Sequence, residues 1–389
     1  MAFTFVVEHN GSNISANVEW QMSATYGRGD PSQQPSPATL GLSVVYNGSA
    51  LSPADFQLGD LIEVTVTNTG QTDTIYFRGT ITNARADHDV IRLACISDTL
   101  GSLARTYADV GAYTATNLNT VLTAAVTAAT TAGAMPGVLN PPVIGTMLYD
   151  VTVAAQTQTN ILSYLQSAIL SEPEGVVLEQ PGYGLTIAGY DDRRISTMPA
   201  AQKFNYTTVT GFGWDWTVEK NAADFRNKAS VTYSAGTATY QDTTSVSAIG
   251  QVGVTTSTAL TSSTDADFMA LRTVQHGLNP GWRTTGLVLN CATLTDLQRK
   301  NLAANMRTGS YMQTPTISPA VSTEYFVEGW SDDIGYNAGT GVTRWLRTLN
   351  ISDITSSQAA QRYIDVVSGV TWGTVNPTYR WVDLEQLTI

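Results

Sequence analysis

Ala38-Thr39-Leu40-Gly41-Leu42-Ser43-Val44-Val45-Tyr46 alternates with a period of two and puts Leu40, Leu42, Val44 and Tyr46 on one face of a β-strand. Upstream, Val18-Glu19-Trp20-Gln21-Met22 alternates in the same way. The polar loop 27–37 between them holds Pro31, Pro35 and Pro37, which exclude a central strand. Downstream, 60–67 and 74–82 flank the turn-rich 68–73 as a hairpin, and 90–95 adds another strand. Five or six antiparallel strands in the first hundred residues fit a small barrel or sandwich, so 1–102 is assigned to a barrel-like β domain.

Beyond residue 103 the period becomes helical. Apolar residues at 118, 121, 122, 125 and 126 share a face stopped by Gly133 and Pro136; a second helix over 160–170 carries Ile161, Leu162, Leu165, Ala168 and Ile169. Strands at 175–179 and 184–188 follow, which makes 103–200 an α+β domain. Strands resume at 204–209, 214–219 and 228–233, while the Thr-, Ser- and Gly-rich 235–263 reads as long loops with short strands. A helix over 265–277 is capped by Ser263 or Thr264 and striped by Phe268, Leu271 and Val274. A strand at 286–291 and a helix over 296–306, capped by Thr295, complete a second α+β domain at 263–320. Strands at 324–330 and 343–349 group with the earlier ones as a second barrel-like domain over 201–262 and 321–350. Residues 351–389 form a C-terminal β tail.

The composition excludes several function classes. Twenty Lys and Arg face thirty-two Asp and Glu, a net charge of −12, so clustered phosphate neutralisation is not the main business of this chain. No apolar run approaches the eighteen residues of a membrane helix, and Met1 to His9 lacks the marks of a secretory signal, so synthesis in a cytoplasm is expected. Cys95 and Cys291 fit buried free thiols. His9, His88 and His276 are isolated, and the metalloprotease, nucleophile-elbow, Walker A and Rossmann patterns are absent, so neither cofactor nor metal is expected. Arg28-Gly29-Asp30 reads as a polar turn rather than an integrin motif. Asp191-Asp192, Asp332-Asp333, Glu172 and Glu174 are the carboxylates a glycosidase would draw on. Trp214-Asp215-Trp216 suits a sugar platform or, more simply, a core or subunit interface.

The order of several short motifs resembles the minor tail proteins, or baseplate hubs, of long-tailed actinobacteriophages. Val18-Glu19-Trp20, Gly27-Arg28, Pro37-Ala38-Thr39-Leu40, Gly59-Asp60 and Phe77-Arg78-Gly79 keep the order of that family's first domain. Asp98-Thr99-Leu100-Gly101-Ser102-Leu103 resembles its passage into the second. Glu174-Gly175-Val176-Val177, Asn227-Lys228-Ala229-Ser230-Val231, Thr371-Trp372-Gly373 and Arg380-Trp381-Val382-Asp383-Leu384 resemble later segments.

The resemblance implies a β-rich α+β, multi-domain hub with two barrel-like β domains and two smaller α+β domains. It also implies a non-enzymatic virion protein, similar to the central hub of contractile tails. Three copies would ring the distal end of the phage tail, joining the hexameric tube to the threefold tip and forming part of the DNA channel. The implied partners are a homotrimer, the distal tail or tail-tube protein, the tape-measure C-terminus, other tip or fibre proteins, and passing DNA without specific binding. Trp20, Arg28, Asp98, Trp214, Trp216, Trp372 and Trp381 are the candidate packing or interface residues. Larger relatives append a peptidase or receptor-binding region; here the sequence ends at Ile389 without one, so attachment and wall digestion are expected of other proteins. The net charge suggests an acidic channel wall. The alternative is a glycan-binding tip module or cell-wall glycan hydrolase.

Overall fold

The computed structural model describes residues 4–29, 33–46, 51–67, 73–135, 141–180, 184–189, 198–213, 217–219, 225–278, 283–316, 323–337 and 341–353. The N-terminal strands are β1 (Thr4–His9), β2 (Ser12–Asn13), β3 (Val18–Gly27), β4 (Ser36–Val45), β5 (Leu61–Thr67), β6 (Thr74–Asp87) and β7 (Val90–Ser97). Their alternation is the expected one: Leu40, Leu42 and Val44 are buried, as are Ile62, Val64 and Val66 on β5 and Ile91, Leu93 and Cys95 on β7.

Next come α1 (Leu100–Leu103), β8 (Tyr107–Val110), β9 (Tyr113–Asn117), α2 (Leu118–Thr131), β10 (Val143–Ile144), β11 (Asp150–Val153), β12 (Gln156–Asn160), α3 (Ile161–Ala168), β13 (Val176–Gln180) and β14 (Gly184–Ala188). Helices α2 and α3 bury the residues their spacing foretold, against Val177, Leu185 and Ile187. Asn117 and Asn160 cap them by accepting from Asn119 N and Ser163 N. After Gly133, at φ +86°, the helical path is left. Strands β8, β9, β11 and β12 pair as two small ribbons that the sequence reading missed.

Then follow β15 (Lys203–Asn205), β16 (Thr217–Glu219), β17 (Lys228–Tyr233), β18 (Gly236–Gln241), α4 (Thr243–Ile249), β19 (Gly253–Ser257) and α5 (Ser263–Leu278). The stretch taken for loops with short strands thus also contains a helix. Strands β18-β17-β19 form a separate sheet under α5. The buried face of α5 is Ala266, Met269, Ala270 and Val274, a correction to the expected Phe268, Leu271 and Val274 stripe. Phe268 and Leu271 are half-buried at the flank, and close approach is required at the helix end, where a Cβ on Gly277 would lie 2.4 Å from Arg226 Cβ.

The chain ends its described part with β20 (Arg283–Asn290), α6 (Asp296–Asn305), β21 (Tyr311–Gln313), β22 (Glu324–Asn337) and β23 (Gly341–Asp353). Thr295 caps α6 in a reciprocal box with Gln298. The strands of 1–102 and most of those assigned to the second barrel-like unit are hydrogen-bonded into one thirteen-stranded sheet, ordered β16-β20-β23-β22-β3-β4-β7-β6-β5-β1-β2, with β21 and β15 branching from β22. It also takes in β20 and β21 from 263–320, whereas β17, expected in the second barrel, lies in the separate sheet under α5. One continuous core lies against it, running from Phe5, Met22 and Ile62 to Leu302, Trp345 and Leu349.

Candidate functional site

The sheet is continuous because β3 and β22 pair antiparallel, from Gly27↔Gly329 to Gln21↔Gly335. Two glycines make the close crossing possible. A Cβ on Gly27 would meet Glu328 O at 2.5 Å, and one on Gly329 would meet Tyr26 O and Arg28 O at 2.7 Å. Gly27 also has a φ of +83°. The chain then turns Arg28 inward. Its guanidinium meets Glu328 at 2.7 Å with both side chains 4% exposed, and donates to Gln33 O at 2.8 Å. The other Glu328 oxygen accepts from Ser352 Oγ at 2.6 Å. Arg28 thus lies in the loop expected of it, and the glycine crossing draws its side chain into a buried ion pair across the seam.

A second buried pair lies a few residues along. Arg347 grips Asp332 with two bonds, Nε to Oδ1 at 2.7 Å and a terminal nitrogen to Oδ2 at 2.6 Å. Asp332 also accepts from Trp345 Nε1 at 2.9 Å and from Tyr76 Oη at 2.5 Å. Tyr26 Oη donates to Tyr76 O at 2.6 Å, and its ring stacks on Trp330 at 4.9 Å. The Arg347 guanidinium lies over both Trp330 and Trp345. Burial alone would lower the Arg347 pKa, but Asp332 more than offsets it and holds the charge. Burial, with Asp332 adding to it, raises the Tyr76 phenol. Tyr26, Tyr76, Trp330, Asp332, Trp345 and Arg347 thus bind the N-terminal and C-terminal strands into one body.

A third cluster ties β13 to β4 and α1. Glu179 accepts from Ala38 N and from Leu100 N, the latter at 3.0 Å at the start of α1. Burial pushes its carboxyl to about 7, against its bonds to Ser97, Leu100 and Ala38. Asp98, pushed to about 6 by burial, pairs with Arg78 at 2.9 Å, and Arg78 also meets Glu63 at 3.2 Å. Gln34 reinforces the joint by donating to Gly175 O and accepting from Val177 N.

The opposite face of the central strands is open. It presents Gln21, Ser23 and Thr25 on β3, Thr39 and Ser43 on β4, and Ser331 and Asp333 on β22. Asp333 is paired with Arg344 at 2.7 Å. Small hydroxyl and amide side chains dominate this face, with Asp333 matched by Arg344 and Glu19 half-buried opposite Ser43.

Of the sequence candidates, Arg28 and Asp98 are placed in buried ion pairs, while Trp20 lies on β3 with its side chain outside the described part. Trp214, Trp216, Trp372, Trp381, Asp191 and Asp192 lie outside the described residues. Among the described residues the candidate carboxylates are each engaged separately. Asp332 is locked by Arg347 and Asp333 faces the other side of the same strand; Glu172 accepts from Leu148 N at 2.9 Å and Glu174 pairs with Arg272 at 2.8 Å. No group of His, Cys, Asp and Glu among the described residues could hold a metal ion. Cys95 and Cys291 are buried free thiols, and burial pushes the Cys95 thiol to about 12. The sequence reading missed Glu179, Glu328 and Arg347. Only an isolated charge within an apolar strand could have marked them.

No protein-family model matches the chain, and no curated protein matches it by sequence. Solved structures do. The 43 kDa tail protein of prophage MuSo2 from Shewanella oneidensis gives a TM-score of 0.58 at 11% identity, covering 91% of this chain and 99% of that one. The tail protein from Neisseria meningitidis MC58 gives 0.59 at 10%, over 91% and 97%. The fold is shared with phage tail proteins. Prophage tail protein gp18 from Listeria monocytogenes EGD-e extends the likeness, with a TM-score of 0.51 at 11% identity over 89% and 94%. At these identities the kinship is one of backbone path, and it runs almost end to end.

Proposed function

We propose that this chain is a structural, non-enzymatic virion protein of a phage tail, acting as a trimeric hub at its distal end. The carrying observation is the tail-protein fold over 91% of the chain. The seam agrees with it, since a ring element must hold two strand systems at a fixed angle, and buried ion pairs with stacked aromatics do that. On this reading the two strand systems are the two barrel-like domains, flanked by the α+β units of β8–β14 and of β17–β19 with α5. Three such chains would present six strand systems to a hexameric tube above and a threefold tip below. The actinobacteriophage affinity rests on the sequence motifs.

The open face of β4, β3 and β22 is our candidate for the channel wall. Gln21, Ser23, Thr25, Thr39, Ser43 and Ser331 give it mostly uncharged groups, with Asp333, paired to Arg344, and Glu19 its carboxylates, so we propose a mainly hydroxyl-lined wall in place of an acidic one. The arginines nearest it are Arg344, paired with Asp333, and Arg92 beside Ser43 at its margin, so passing DNA phosphates meet no clustered cations along β3 and β22. The tape-measure C-terminus, the tube protein and tip or fibre proteins are the proposed neighbours. Light scattering on purified protein tests the assembly. A particle three times 41.6 kDa is expected; a monomer that hydrolyses host wall glycan would replace this reading with the glycan-active one.

A further inference from the structure

The distal half of β6 is exposed on both faces, from Thr82 to Asp87. Strand β5 accompanies β6 only as far as Leu61↔Thr80, and the loop at Gly59 and Asp60 closes the edge at Ile81. A bulge between Ile81 and Asn83 then turns the strand away, with Thr82 Oγ1 donating to Ala94 O at 3.0 Å. Beyond it β6 pairs with β7 alone among the described residues. One edge of its backbone is therefore open for about five residues.

Arg85 and Arg92 stand directly opposite each other on this arm, both exposed. Cross-strand partners project from the same face, so two like charges leave the ladder at one point, an arrangement that destabilises it, with Asp87 two residues along β6 on that face. Among the described residues neither makes an ion pair. In a chain with a net charge of −12, Arg28, Arg78, Arg272, Arg299, Arg344 and Arg347 have carboxylate partners and Arg105 and Arg226 donate to oxygens of the protein, whereas this exposed doublet beside an open strand edge has neither among the described residues. The tip that carries it is held: Tyr46 N donates to Asp89 O at 3.0 Å, and Tyr46 Oη donates to His88 O.

We propose that the Thr82–Asp87 edge is a docking site for an extended acidic segment of another protein, which adds as a strand beside β6 while its carboxylates are gripped by Arg85 and Arg92. Main-chain bonds along the edge supply affinity, with Arg85, on the strand it joins, and Arg92, one strand further in, as donors to carboxylates on the face they share. The inference does not depend on the ring.

The test uses the full chain and a fluorescein-labelled synthetic peptide, Thr-Val-Glu-Val-Glu-Val-Thr, with its Lys-for-Glu counterpart and a twenty-nucleotide poly(dT) as competing probes. Fluorescence anisotropy should show binding of the Glu peptide only, with amide-exchange protection confined to 82–87. Replacing both arginines (Arg85→Ala with Arg92→Ala) should weaken it at least tenfold, and Arg344→Ala should not. A second variant separates docking from folding. Arg92→Glu creates a cross-strand ion pair with Arg85, so it should raise the melting temperature while abolishing binding. Absence of peptide binding, binding indifferent to both variants, or capture of poly(dT) in place of the peptide would each overturn the proposal.

Discussion

The seam between β3 and β22 and the joint between β11 and the approach to α5 link parts of the same chain by different physics. At the seam a strand ladder is reinforced by two ion pairs, Arg28–Glu328 and Asp332–Arg347, whose side chains are at most 4% exposed, and by the Tyr26–Trp330 stack. The other joint is an isolated bridge, Val151↔Leu260, with Thr152 N donating to Ala259 O, a Thr152–Thr261 hydroxyl contact of 3.0 Å, and the Arg272–Glu174 pair in which Glu174 is 26% exposed. Water reaches the second set at Glu174, although Val151, Leu260 and Arg272 are buried there; the first set is closed to it throughout. The comparison divides the molecule into a stiff frame, made of both strand systems, and a compliant unit of β17–β19 with α5.

The largest way to break this contrast is Asp332→Ala, which strands a charged Arg347 in the core. It should cost about 3–5 kcal/mol of stability in urea unfolding. Next comes Glu179, whose joint to α1 is intermediate. Its carboxyl stands at about 7 in the folded chain against an ordinary 4.5, so the folded form holds the proton more tightly. Its contribution, up to about 3 kcal/mol, is fully present below pH 4.5 and lost as pH rises through about 7. The melting temperature should therefore fall between pH 5 and pH 8, and Glu179→Gln should flatten that slope. Gly329→Ala drives a methyl into two carbonyl oxygens of the neighbouring strand and should cost about 1–3 kcal/mol. The smallest effect belongs to the compliant joint. Thr261→Ala removes a half-buried hydroxyl contact and should cost less than about 1 kcal/mol by the same measurement.

Strands and helices with a clear period were legible in the sequence: β4 and β7 by alternation, α2 and α3 by their i, i+3, i+4 faces. Ribbons β8, β9, β11 and β12 were not. Segments such as Tyr113-Thr-Ala-Thr-Asn117 bury little and so carry no hydrophobic signal. The α5 face was misread because alanines, chosen for close packing, look neutral beside Phe268 and Leu271. Arg28 and Asp98 were singled out, but their surroundings were not, since Arg28 and Glu328 lie 300 positions apart in sequence. The same distance hid the single sheet: strand partners as far apart as Ser23 and Asp333 are fixed by tertiary packing, with no local trace.

Electron cryomicroscopy of tails carrying this chain tests the central claim most directly. The account predicts three copies around the tail axis near its distal end, with Ser23, Thr39 and Ser331 facing the channel and the β3–β22 seam intact in every copy. A different stoichiometry, or this hydroxyl face turned outward, would contradict it.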